Sequence, residues 1–170
     1  RTFYRIDAKA RRLDPASFAA AVEQLDDALD RACAETGTSR SDAILAGFSQ
    51  GAGLAMGLSF RRSDRPSPAG VVAMSGKLYD EVAEVCWDLE PRSGADGGPT
   101  RPKLLWAHGT ADGVFGHDLH VGAVARLGAA AIDVTTLDVD AGHVLTPEAL
   151  AAARDWLATN WLDDCSGGST

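Results

Sequence analysis

At 170 residues, with 45% apolar and 24% charged side chains, the chain has the size and composition of one globular domain with a real core. A net charge of -8 with scattered Lys and Arg excludes the clustered basic surface that nucleic acid or an anionic membrane requires. No apolar run approaches the ~20 residues that span a bilayer, no basic start leads into an apolar core, and the three cysteines show no C-x-x-C spacing. The expectation is a cytoplasmic protein with no stable membrane insertion, no nucleic-acid partner, no metal and no cofactor.

In chain order, Phe3, Tyr4, Ile6, Asp7, Lys9, Arg11 and Arg12 show no period and read as a loop entering a helix. Asp14 is an N-cap with Pro15 at the first helical position, Leu13 is placed to staple onto Phe18, and Gly37 ends the run. Between them Phe18, Val22, Leu25, Leu29 and Cys33 recur at helical spacing. A buried strand over 43–47 then leads through Gly47-Phe48-Ser49-Gln50-Gly51 into a helix over 50–62, with Arg61 and Arg62 suited to its C-terminal dipole end.

After a loop with two prolines, 70–74 reads as a second buried strand ending at Ser75-Gly76. Leu78, Val82, Val85 and Trp87 suggest a short helix over 77–89, and the Gly- and Pro-rich run 91–102 a flexible loop. Strand 104–107 enters His108-Gly109-Thr110-Ala111-Asp112, a helix over 117–127 and a strand over 132–139 follow, and Ala141-Gly142-His143 forms a turn. Thr146 caps the last helix, with Pro147 first, Leu145 placed to staple onto Leu150, and Leu150, Ala153, Leu157 and Trp161 on one face. The predicted domain runs over 1–163, with a disordered tail over 164–170.

Strands alternating with helices, and no internal repeat, imply an α/β class: a mostly parallel sheet with helices on both faces. In such sheets reactive groups gather at the carboxyl ends of strands, and Ser49, Asp112 and His143 each follow a strand in that sense. The G-x-S-x-G turn is a nucleophile elbow, where glycines either side of the serine let strand and helix backbones pass closely. A serine hydroxyl needs a base to take its proton, and an imidazole base needs a carboxylate to fix its tautomer. Ser49, Asp112 and His143 offer one of each, in the order Ser, Asp, His. Asp138 and Asp140 compete for the acid role, and His108, His117 and His120 for the base. His108 reads as a packing residue, His117 and His120 as surface residues without a third metal ligand, Ser75 as structural, and Trp106, Trp156 and Trp161 as core.

Gly47-Phe48-Ser49-Gln50-Gly51-Ala52, His108-Gly109-Thr110-Ala111-Asp112 with Val114 and Phe115, and Gly142-His143 with Thr146-Pro147-Glu148 resemble the phospholipase/carboxylesterase branch of the α/β-hydrolases. That branch includes bacterial carboxylesterases and acyl-protein thioesterases. The resemblance implies Ser49 as nucleophile, Asp112 as orienting acid, His143 as general base and the Gln50 backbone N–H as an oxyanion donor. It also implies upstream strands and an H-G-[LG]-G-type loop carrying a second oxyanion donor. Neither is seen ahead of Arg1, so the fold is expected in N-terminally truncated form, with 43–47 an unprotected edge.

The function expected is a serine hydrolase cleaving small esters or thioesters through an acyl-enzyme. Leu78, Tyr79, Val114, Phe115 and Val144 are candidate acyl-pocket residues, since they flank the three positions and are apolar. The alternative is a catalytically incompetent fragment that binds ligand or associates through its edge, and homo-oligomerisation is left open.

Overall fold

The computed structural model describes residues 2–7, 12–61, 63–79 and 101–162; all but the first three residues of the helix expected over 77–89, most of the loop over 91–102 and the tail over 164–170 lie outside them. The first elements are two-residue strands, β1 (Ile6–Asp7) and β2 (Arg12–Leu13), paired antiparallel with Ile6 opposite Leu13. This corrects the expectation of an unstructured entry, because two-residue strands are too short to leave a period in the sequence. Helix α1 (Pro15–Thr36) starts where Asp14 Oδ1 accepts from the backbone N–H of Ala16 and Ser17, and Gly37 at φ 70° ends it.

Strands β3 (Ile44–Phe48), β4 (Gly70–Met74), β5 (Lys103–Gly109) and β6 (Val134–Val139) form a parallel sheet in that order, with β3 and β6 outermost among the described residues. Among the described residues, α2 (Gln50–Ser59) follows β3, α3 (His117–Ala129) follows β5 and α4 (Pro147–Leu157) follows β6. The two inner strands are buried on both faces, so alternate residues feed two cores. Val71, Ala73, Leu104 and Trp106 meet Phe18, Val22 and Leu29 of α1, Met56 of α2 and Leu127 of α3. Val72, Met74, Leu105 and Ala107 meet Ala149, Ala153 and Trp156 of α4. The α/β class with helices on both faces is therefore the architecture observed.

Two faces differ from their expected form. On α4 the buried stripe is Ala149, Ala153 and Trp156, while Leu150 is exposed, because alanines on adjacent stripes made the apolar face ambiguous. On α1 the inward residues include Asp26, completely buried and paired with Arg40, Arg61 and Arg65. Arg61 therefore serves this carboxylate and Glu23 through side-chain bonds, beyond any effect on the end of α2. No helix among the described residues is long and apolar enough to cross a membrane.

Candidate active site

The turn from β3 into α2 places Ser49 at φ 55° and ψ −119°, a backbone conformation that L-residues rarely adopt. It is held there because its N–H donates to Met74 O at 2.9 Å, extending the β3–β4 ladder one residue past the strand. A Cβ on Gly47 would lie 2.3 Å from the backbone of Gly51, so glycine is required there. On Gly51 the added Cβ would meet only the Phe3 ring, at 3.8 Å. The expectation that both glycines are needed for backbone clearance thus holds for one of them. Gln50 opens α2, where backbone N–H groups lack intrahelical acceptors.

The loops after β5 and β6 are stitched together. Ala111 N–H donates to Ala141 O at 3.0 Å and Thr110 N–H to Val139 O at 2.8 Å. A Cβ on Gly109 would fall 2.4 Å from Ala141 O, so the two loops cross at a point only glycine leaves open. This crossing brings Asp112 to His143, whose Nδ1 stands 2.8 Å from Asp112 Oδ2. His143 Nε2 stands 2.8 Å from Ser49 Oγ. Ser49, His143 and Asp112, up to 94 positions apart in sequence, are joined by two hydrogen bonds.

Asp112 is buried, and burial acts to raise its carboxyl pKa. The bond from His143 and the backbone N–H of Phe115 and Val114, both on Oδ1, outweigh this and hold the group below the usual carboxylate range. An ionised acceptor on Nδ1 keeps that nitrogen protonated and leaves Nε2 free to accept a proton from Ser49. Asp138 instead faces His117, at 2.9 Å.

The expected pocket residues separate into two groups. Val114 and Val144 are exposed, and the Phe115 ring stands edge-on to His143 with centroids 5.5 Å apart. Leu78 and Tyr79, by contrast, are buried in the core, with the Tyr79 ring edge-on to that of Phe115 at 6.4 Å. Tyr79 packs on Tyr4 and Phe18, and its hydroxyl is 3.0 Å from that of Tyr4. Burial, with Tyr79 adding to it, pushes the Tyr4 phenol far above its ordinary value.

One residue and one side-chain role were missed. Phe48, taken from the sequence only as part of the elbow, lays its ring 5.1 Å from that of His143 and is partly exposed. The Gln50 side chain binds the N-terminal segment, its Oε1 accepting from Phe3 N–H at 3.1 Å and its Nε2 donating to Tyr4 O at 3.4 Å. Position next to the serine was the available signal for both. His120, expected at the surface, is buried with its ring stacked on His108 at 4.8 Å, and His108 is buried as expected of a packing residue. Among the described residues no group of His, Cys, Asp or Glu is arranged to hold a metal ion.

The profile of the phospholipase/carboxylesterase family matches residues 3–161. Mouse lysophospholipase-like protein 1 is 29% identical over 136 residues, which are 79% of this chain and 54% of that protein. The chain thus spans about half the length of this relative. Among solved structures, esterase PE8 superposes with a TM-score of 0.71 at 26% identity, covering 92% of this chain and 69% of that one. A Bacillus cereus carboxylesterase superposes with a TM-score of 0.75 at 22% identity, covering 93% and 68%, which shows the shared fold. The chain belongs to the phospholipase/carboxylesterase family and has the α/β-hydrolase fold.

Proposed function

We propose that the protein is a serine hydrolase that cleaves carboxylic esters or thioesters through an acyl-enzyme. The observation that carries this reading is the pair of 2.8 Å contacts joining Ser49 Oγ to His143 Nε2 and His143 Nδ1 to Asp112 Oδ2. Ser49 Oγ attacks the acyl carbon as its proton passes to His143 Nε2, and Asp112 stabilises the imidazolium that forms. The oxyanion receives the Gln50 backbone N–H at the start of α2, where the helix dipole favours negative charge. Collapse expels the alcohol or thiol, which takes the proton from His143. Water, deprotonated by His143, then attacks the acyl-serine, and Ser49 is regenerated with release of the acid.

An acyl chain would lie against Phe48, Val114, Phe115 and Val144, which present apolar surface around His143. The cavity lined by Ser75, His108, Gly109 and Val144 measures about 10 Å³, room for a water but not for an acyl chain. Labelling of the chain by a fluorophosphonate probe, with Ser49→Ala alongside, tests the reading. Labelling lost in the variant supports an activated Ser49, and a folded chain that takes no label overturns it.

A second reading, association without turnover, is favoured by β3, outermost beside β4 among the described residues, whose Phe48 is partly exposed. Sedimentation that depends on concentration, in a chain that takes no label, would support it.

A further inference from the structure

We propose that His108 is a positioning residue for Asp112, holding the Phe115 carbonyl and so fixing the turn that presents the carboxylate to His143. The inference rests on the Ser49, His143 and Asp112 reading above.

His108 is the last residue but one of β5 and is almost completely buried. Its Nε2 lies 2.8 Å from Phe115 O. A carbonyl oxygen only accepts, so Nε2 carries the hydrogen and donates. Nδ1 makes no hydrogen bond to another protein group among the described residues, so the tie to Phe115 is the hydrogen bond the ring makes. The bonds from Val114 and Phe115 N–H to Asp112 Oδ1 shape the 112–115 turn from within but do not attach it to the sheet. Attachment comes from backbone bonds at its start, Ala111 N–H to Ala141 O and Asp112 N–H to Gly109 O, and from His108 at its far end.

The same Nε2 is 3.6 Å from Asp112 Oδ2, beyond hydrogen-bond distance, so the tie to Phe115 decides the role and direct stabilisation of the carboxylate is secondary. The His108 ring is itself fixed. His120 of α3 stacks on it with an interplanar angle of 7°, and Trp106 meets His120 edge-on at 4.7 Å. The titratable groups around His108 are Asp112 on its own loop, His117 and His120 on α3, and Asp138 on β6, which pairs with His117 and lies 3.7 Å from His120. A ring that served only to fill space would not need a donor at the ε position.

Glutamine places an amide N–H at the ε position of histidine, while asparagine places it at the δ position. His108→Gln and His108→Asn therefore share polarity and differ in whether the donor reaches Phe115 O. With p-nitrophenyl butyrate, His108→Asn should lose about 10- to 100-fold in kcat, as expected when a reacting group is misplaced, with KM nearly unchanged. Because Asp112 then supports the imidazolium less, the acid limb of the pH-rate profile and the NMR titration of the His143 ring should both move to lower pH. His108→Gln should restore both.

Equal impairment in the two variants, an unimpaired His108→Asn, or a move to higher pH would overturn the proposal. So would a ¹⁵N spectrum of the unaltered chain showing the Nδ1–H tautomer of His108, a measurement that needs no variant to fold. If the unaltered chain neither labels nor turns over ester, the hydrolase reading fails. The His143 titration and the tautomer still decide the positioning role.

Discussion

A Cβ on Gly47 would stand 2.3 Å from the carbonyl carbon of Gly51, yet a Cβ on Gly51 would touch nothing nearer than the Phe3 ring at 3.8 Å. The two glycines of one motif are therefore unequal. Gly47→Ala should cost more than about 3 kcal/mol, because the obstruction is backbone and cannot rotate away. Gly51→Ala should be neutral or stabilising by up to about 1 kcal/mol, since Gly51 is helical and alanine is the better helix former. Urea unfolding of both variants is the measurement, and equal losses would contradict the geometry.

Asp112 provides the next expectation. Its pKa is lowered in the folded chain, so between that value and the unfolded one, about 3.9, the unfolded state binds more protons. Its contribution to stability is thus present above about pH 3.9 and lost as pH falls through the folded value. Asp112→Asn should flatten the pH dependence of unfolding in that acid window. It should also lower ester turnover by on the order of 10³- to 10⁴-fold, because the imidazole loses its tautomer control.

His120 acts in a different window. Burial, reinforced by the nearby His108, lowers its pKa to about 4, against an attraction from Asp138 that works the other way. The unfolded chain takes up this proton near pH 6.5 and the folded chain only near 4, so stability should decline as pH falls between them. His120→Phe keeps a ring against His108 and removes the titration. Its unfolding free energy should be flatter from pH 6.5 to 4 than that of the unaltered chain, followed by chemical denaturation at each pH.

Asp26 is completely buried, and three guanidinium groups, from Arg40, Arg61 and Arg65, converge on its carboxylate. Through them α1 is bound to the turn before β3 and to the segment after α2. Removing the charge leaves these cations short of their partner, so Asp26→Asn should cost about 3 to 5 kcal/mol by urea unfolding. Arg65→Ala should cost less, because Arg65 is more exposed than Arg40 or Arg61.

The sequence by itself determined what depends on neighbours along the chain. Asp14, Pro15 and Gly37 bound α1, and Thr146 accepts from Ala149 N–H at the start of α4, because capping acts over three or four residues. The apolar runs of β3, β4 and β5 and the spacing of helices between them announced a parallel α/β sheet. Ser49, Asp112 and His143 could be named because each follows a strand, and parallel strands bring those ends to one side.

What only the tertiary structure decided depends on residues far apart in the chain. No local pattern shows that Asp26 is buried, since the guanidinium groups that compensate it come from other elements. The burial of Leu78 and Tyr79 and the exposure of Val114 and Val144 follow from how loops meet the sheet. The stacking of His120 on His108 likewise follows from α3 crossing β5, a contact no periodicity records. Periodicity and capping are local interactions, readable from sequence, whereas burial and charge compensation are set by which surfaces the chain folds together.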